Sequence, residues 1–455
     1  MKFITIDRKK GKALRMTEGS EIKNILMFML PLLIGNIFQQ LYNFVDSVVV
    51  GRFVSAQALG SVGSVGSVTS LFLALCIGLA GGVNVLTAQY FGSENEEGVK
   101  QAIANSIYVT AGAGILMSVI SVCFAPMILN WMHVPEENFA DALIYMRIVC
   151  GSMLITAFYN TVSQILRGLG DAATPLYYVI VASVINVVLD LIFVAVFHWG
   201  VAGAAWATVI AQFFATVGSI VTAWRRIPQF RLGREHMKIQ KKIIKYICRM
   251  GIPLAVQNAM NSFAGVIMQS VVNSFGSVIM TAYTASGRVE QLVNQPYGSL
   301  GGAVAIFSGQ NVGAGKFDRI RRGCRKCVWL VAGFSALMLI VMVVFGHLLI
   351  GLFVEEPEII EIGARGLQIT AVSYFFSGLV YTYKAMLNGA GDAEFSLGNG
   401  VIEIVARILF ILILSSIPAV GYWSVWITAI FSSMLAASLC IWRYRSGKWM
   451  RKSAI

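Results

Sequence analysis

Four oxygen-bearing side chains in the first half of the chain define the chemistry to be explained. Asp46 lies in "LYNFVDSVVVGRF", Asn186 and Asp190 in "VASVINVVLDLIFVAV", and Thr208 in "GAAWATVIAQ". An Asp at the centre of a membrane helix costs about 2.5–3.5 kcal/mol on insertion scales. Such a residue is by default a functional-site candidate. Asn186 stands one turn before Asp190, so the two share a helix face. Asp46, Asp190 and Thr208 fall roughly six, eight and seven residues from the outer ends of their apolar stretches, which puts all three about 9–12 Å below the outer surface. Two carboxylates, an amide and a hydroxyl at one depth form an oxygen-rich site. Hard cations such as Na⁺ prefer oxygen ligands, and a buried carboxylate beside a like charge can carry a proton. The expectation is a cation-binding and coupling site for H⁺ or Na⁺ at Asp46, Asn186, Asp190 and Thr208. The competing reading pairs an Asp with Arg147, which lies at a similar depth.

The elements that must carry these residues are membrane helices. The chain has 455 residues, of which 57% are hydrophobic and 13% charged, with mean hydropathy +0.73. A soluble domain has about 25% charged residues. Bilayer-length apolar segments need about 20 residues. They are read near 24–52, 58–91, 102–131, 139–167, 174–198, 201–224, 247–275, 279–311, 324–353, 362–388, 395–417 and 420–442. The net charge of +13 does not point to nucleic acid, because the Lys and Arg residues lie between apolar stretches or at the termini. The N-terminus, the 225–249 segment, the 316–326 loop "KFDRIRRGCRK" and the tail "RYRSGKWMRK" are basic; the alternate loops "HVPEENFAD" and "VEEPEIIEIG" are acidic. Both termini are therefore expected on the cytoplasmic side of the cell membrane. The first apolar segment is too long for a cleaved signal and holds Asp46.

The halves repeat. "LRGLGDA" at 166–172 matches "LNGAGDA" at 387–393, an offset of 221. Gln89 and Gly92 match Gln310 and Gly313 at the same offset, "LPLLIGN" at 30–36 matches "IPLAVQN" at 252–258, and Trp206 matches Trp426. Each half has an even number of spans, so the copies share one orientation. This predicts an all-α membrane protein of twelve transmembrane helices, in two pseudo-symmetric six-helix bundles around a central cavity. The division is a cytoplasmic segment 1–23, a first lobe 24–224, a basic linker 225–246, a second lobe 247–442 and a basic tail 443–455.

The scaffold repeats but the chemistry does not. At the repeat offset Asp46 maps to Met268, Asn186 to Arg407 and Asp190 to Ile411. The second half has its own charges, Glu290, Glu403 and Arg407, as candidates to line a cavity. Glu403 and Arg407 are i,i+4 and are expected to neutralise each other. Arg288 is expected to pair with Glu290 or to reach water. Lys384, Asp392, Arg167 and Asp171 fall at cytoplasmic helix ends and are read as structural. Phe38, Tyr42, Tyr159 and Met260 are candidates to line a greasy substrate cavity. "GSVGSVGS" and "GLAGG" permit close helix approach.

Nothing suggests an enzyme. No HExxH, P-loop or GxSxG is present, and His133, His198, His236 and His347 fall near helix ends. Of seven Cys, Cys324 and Cys327 form a lone CxxC in a basic loop, a weak metal signal without a second pair. Cys76, Cys123, Cys150 and Cys440 read as small apolar helix residues. No cofactor is expected.

"P-x-x-x-x-N" from Pro31, "D-x-x-x-V-G" from Asp46, "Q-Y-F-G" at 89–92, "L-R-G-x-G-D" at 166–171, "N-x-x-x-D" at 186–190 and "Q-N-x-G-A-G" at 310–315 together resemble the multidrug and toxic compound extrusion (MATE) transporters of prokaryotes. The likeness runs from about 20 to 445. It implies a two-lobe antiporter that exchanges Na⁺ or H⁺ for amphipathic, often cationic, organic compounds by alternating access, without nucleic acid and as a monomer in the bilayer. Carried over residue by residue, the family's first-lobe cation site falls on Asp46, Asn186, Asp190 and Thr208. The acids that some members carry in spans 7 and 10 are missing here. Two rivals are a flippase for lipid-linked oligosaccharides of the same superfamily, and a membrane transferase or hydrolase, for which no catalytic constellation is visible.

Overall fold

The computed structural model describes residues 14–452, and among them every regular element is helical. The chain runs α1 (Glu21–Phe53), α2 (Ala56–Gly92), α3 (Glu96–Cys123), α4 (Ala125–Trp131), α5 (Glu136–Gly151), α6 (Met153–Gly168), α7 (Ala173–Asp190), α8 (Gly200–Arg226), α9 (Lys241–Asn273), α10 (Ser277–Gly313), α11 (Phe317–Gly351), α12 (Pro357–Gly389), α13 (Ala393–Ser415) and α14 (Ser424–Arg445). Local chemistry sets the breaks. Ser55 accepts from the Ala58 N–H at 2.9 Å and starts α2; Asn95 does the same for Gly98 at 2.8 Å and starts α3. Ser152 separates α5 from α6, which bend by 44°, a break of the kind Gly–Ser pairs produce. After Asp190 the helix widens into a π-helical stretch, Leu191–Val196.

Eight helices among the described residues are long and apolar enough to cross a membrane, or nine with α5 and α6 as one bent span. The remaining three of the twelve are α9, α10 and α12, of 33, 37 and 33 residues. Two expectations about the basic segments change. Residues 317–326 are not a loop but the first turns of α11. Ile320, Cys324, Cys327 and Val331 recur at helical spacing and are buried, whereas Arg321, Arg322, Arg325 and Lys326 lie exposed on the other face. The CxxC is therefore core packing on a helix, and no group of three metal-binding side chains occurs among the described residues. Residues 241–246 of the basic linker are likewise the first turns of α9, and the segment before them is fastened: Asn105 accepts from Gln240 N–H at 2.8 Å, and Tyr108 donates to Met237 O at 2.7 Å.

The chain forms two compact units. Unit 1 contains Leu30–Ala255 and unit 2 contains Thr17–Met29 and Val256–Ala454. The boundaries fall inside α1 and α9, close to Pro31 and Pro253, and not in the basic segment. In unit 1, α2 packs on α3, α5 and α6, and α8 on α5, α6 and α7; in unit 2, α12 packs on α10, α11 and α14. One glycine contact shows the repeat in three dimensions. A Cβ on Gly168 would come 3.0 Å from Asn84 O, and one on Gly389 only 2.2 Å from Ala305 O. The two glycines, and the two carbonyls they face, occupy equivalent positions of the repeat. Gly389→Ala is accordingly expected to destabilise unit 2 by about 1–3 kcal/mol, and Gly168→Ala to cost less, as read by thermal unfolding of the purified protein. Equal, unchanged melting of both variants would contradict this packing.

Candidate functional site

The four first-half residues come from three helices of unit 1. Asp46 is on α1, Asn186 and Asp190 are on α7, and Thr208 is on α8. The Asp46 and Asp190 carboxyl groups face each other within hydrogen-bonding reach. Asn186 and Asp190 are fully buried, and Thr208 is 8% exposed. With its amide nitrogen toward the acid, Asn186 donates to Asp190 Oδ2 at 2.8 Å and accepts from the Thr208 N–H at 3.3 Å. Turned the other way, its nitrogen reaches only Thr208 Oγ1, at 3.3 Å, and its oxygen opposes an acceptor. Tyr42, one turn before Asp46 on α1, directs its hydroxyl to Thr208 Oγ1 at 3.5 Å. Next to the acids Val49, Val50, Val194, Val201, Ala204 and Ala205 close one apolar cluster.

One oxygen of each carboxyl group, Asp46 Oδ1 and Asp190 Oδ1, is buried with no hydrogen-bond partner. Two carboxylates this close repel unless a proton or a cation lies with them. Apart from the Asn186 amide nitrogen, the polar atoms around the pair are hydroxyl oxygens of Tyr42 and Thr208, and oxygens suit a proton or a hard monovalent cation. Arg147 is not the counter-ion: it is exposed and makes no ion pair among the described residues. The repeat shows what unit 2 has instead. Met268 and Ile411, at the positions of Asp46 and Asp190, are buried together in one apolar cluster with Val272 and Trp426.

The family model MatE matches the chain twice, over residues 31–192 and 253–413. The chain belongs to the MatE family, the multidrug and toxic compound extrusion transporters. The two MatE matches are related by the same offset as the internal repeat. Among bacterial relatives, "Probable multidrug resistance protein YoeA" of Bacillus subtilis is 29% identical over 442 residues, covering 94% of both chains. "Probable multidrug resistance protein YpnP" of the same species is 27% identical, covering 96% of this chain and 98% of its own. A solved structure described as the "Outward-facing conformation of a multidrug resistance MATE family transporter of the MOP superfamily" superposes with a TM-score of 0.90 at 23% identity, covering 98% of this chain and 100% of its own. That likeness carries the fold. MATE is a transporter family, not an enzyme family, and the protein is a multi-pass membrane protein.

Other candidates of this MATE chain are placed as follows. Phe38 is 37% exposed, and Tyr159 and Met260 are half-buried. Glu403 does not pair with Arg407, contrary to expectation; its carboxylate reaches Lys384 Nζ at 3.9 Å. The i,i+4 rule considers one helix alone, and here a cation on α12 lies closer. Arg288 is exposed and makes no ion pair with Glu290. Asp171 caps α7, accepting from the Ala173 and Thr174 N–H groups at 3.0 and 2.9 Å and from the Thr174 hydroxyl at 2.6 Å. Cys123 is exposed, whereas Cys76, Cys150 and Cys440 are buried. Tyr42 was expected only as cavity lining; its role beside the acids was readable from its i,i+4 spacing to Asp46.

Proposed function

We propose that the protein exports amphipathic, often cationic, organic compounds in exchange for H⁺ or Na⁺, by alternating access. It does so as a monomer in the cell membrane with both termini cytoplasmic. The observation that carries this reading is the facing, incompletely bonded carboxyl pair of Asp46 and Asp190, held by Asn186 and Thr208. Relatives named as multidrug resistance proteins support the export of drugs over a flippase for lipid-linked oligosaccharides. An entering cation neutralises the pair and removes its repulsion, so that loaded and empty sites favour different packings of α1, α7 and α8. No cofactor takes part; the chemistry is the exchange of one bound cation for another. The test is transport by purified protein in liposomes, with a Na⁺ gradient and a pH gradient imposed separately. One of the two is expected to drive accumulation of a fluorescent organic cation. Failure of both, with protein that binds the dye, would overturn the coupled mechanism.

A further inference from the structure

The repeat places two equivalent helix faces in different surroundings. α3 and α11 are counterparts at the offset of 221, so Ala104, Tyr108 and Gly112 correspond to Arg325, Trp329 and Gly333. In unit 1 the chain covers this face itself. Ala104 is fully buried, Tyr108 donates to Met237 O at 2.7 Å, and the adjacent Asn105 accepts from Gln240 N–H at 2.8 Å. In unit 2 the face is bare. Arg325, Trp329 and Gly333 are exposed, Trp329 at 74%, and a Cβ on Gly333 would meet nothing within 4 Å.

The chain after α14 folds back onto the start of α11 and adds charge there. Gly447, at φ +68°, takes the left-handed conformation that ends a helix and turns Trp449 inward. The Trp449 ring is 1% exposed, with ring centres 5.9 Å from Phe317 and 6.1 Å from Tyr444, and its Nε1 donates to Tyr444 O at 2.9 Å. Met450 Sδ meets a guanidinium nitrogen of Arg321 at 3.8 Å. Arg445, Lys448 and Arg451, all exposed, are thereby held at the end of α11 that carries Arg321 and Arg325. Arg325, Arg445, Lys448 and Arg451 make no ion pair among the described residues. The acids at this end are already engaged: Glu21 with Arg322 and Lys326, Asp318 with Arg321 at 3.6 Å, and Glu394 with Lys452 at 3.0 Å.

The order of groups along α11 selects the ligand. Arg321, Arg325, Trp329 and Gly333 recur every four residues and so form one stripe. Leu337 and Ile340 continue it as exposed apolar surface. Each four-residue step advances about 6 Å along the axis. Cation, then indole, then open apolar surface is the order of a phospholipid from headgroup to acyl chain, and Trp favours the headgroup level. A free phosphate would use the cations alone. Basic clusters beside a span favour anionic lipid by about fivefold per charge.

We propose that the face of α11 from Arg321 to Ile340 is a binding site for an anionic phospholipid of the adjoining leaflet. The lipid phosphate lies on Arg321 and Arg325, in the field of the folded tail, and an acyl chain runs along Trp329, Gly333 and Leu337. The site lies wholly within unit 2. It goes beyond the export reading and stands with or without coupled transport.

The test places the full-length protein in vesicles that mix phosphatidylglycerol and phosphatidylcholine, with brominated acyl chains on one lipid or the other. Bromine quenches nearby indoles, and the difference between the protein and its Trp329→Phe variant isolates Trp329. Brominated phosphatidylglycerol is expected to quench Trp329 more than brominated phosphatidylcholine at equal mole fraction. Arg321→Gln and Arg325→Gln, both at exposed positions, should each lower that preference about fivefold. Replacing Arg225 and Arg226, exposed at the end of α8 in unit 1, by Gln should leave it unchanged, as should inorganic phosphate added at constant ionic strength. Equal quenching by the two lipids would overturn the proposal. So would quenching by neither, the result if a second copy of the chain covered this face. A preference that survives Arg321→Gln and Arg325→Gln, or that falls as far in the Arg225, Arg226 variant, would assign the effect to overall surface charge and overturn it too. Displacement by inorganic phosphate would make this an anion site and not a lipid site.

Discussion

Asp190→Asn is expected to abolish coupled efflux while leaving the protein folded. The substitution keeps the size of the side chain and one acceptor oxygen, so Asn186 can still donate across the 2.8 Å contact. It removes the charge and the protonatable oxygen that faces Asp46. With one carboxyl group left, nothing in the site changes its repulsion when a cation enters or leaves, and the energetic difference between loaded and empty states largely disappears. A cation entering down about 100 mV releases about 2.3 kcal/mol, equivalent to roughly fifty-fold in concentration. Cells expressing the variant should therefore retain a fluorescent cation such as ethidium at close to the level of cells without the transporter. Normal efflux by a variant that is purified in normal yield and melts normally would remove Asp190 from the coupling machinery.

Asp392→Ala is expected to be the most damaging of the polar substitutions to stability. Asp392 is 1% exposed and takes a two-pronged bond from Arg443, at 2.6 and 3.2 Å; the same guanidinium lies 5.3 Å from the Phe395 ring centre. Deleting the acid leaves a largely buried cation without its partner, a loss of about 3–5 kcal/mol. The repeat provides an internal control. Asp171, the counterpart of Asp392, has no such cation among the described residues: Thr222 stands in the place of Arg443 and bonds Tyr178 at 2.7 Å. Asp171 instead caps α7, so Asp171→Ala should cost only about 0.5–2 kcal/mol. Thermal unfolding of the two variants side by side tests the contrast, and a larger loss for Asp171→Ala would reverse the argument.

Much of this was legible because membrane helices obey few rules. Length and hydropathy located the spans, the near-constant offset between matching motifs exposed the repeat, and counting residues from helix ends collected Asp46, Asp190 and Thr208. Depth is one coordinate; the three residues also come together laterally because Asp46, Asp190 and Thr208 belong to one unit. What the sequence concealed is lateral. Nothing in "VIEIVARIL" reveals that Lys384 of α12 reaches Glu403 ahead of Arg407. The charge run at 316–326 has the composition of a loop, and only the helical spacing of its buried stripe, Ile320, Cys324 and Cys327, marks it as helix. The π-helical stretch after Asp190 has no sequence signature at all; it is a local choice of hydrogen-bond register, and such stretches often adjoin functional residues.

The place where each unit ends has a consequence for what the duplicated sequence can do by itself. Thr17–Met29 counts with unit 2, where Glu21 binds Lys326 at 2.7 Å and Arg322 at 3.1 Å, and Arg319 donates to the carbonyls of Glu18 and Gly19. Lys241–Ala255 counts with unit 1, where Gly78 and Gly82 leave room for Ala255 and Ile247. Each copy of the repeat therefore lends its opening turns to the other. Gene fission in the basic segment would give two fragments, each missing a strip of its own core and each carrying a strip of the other's.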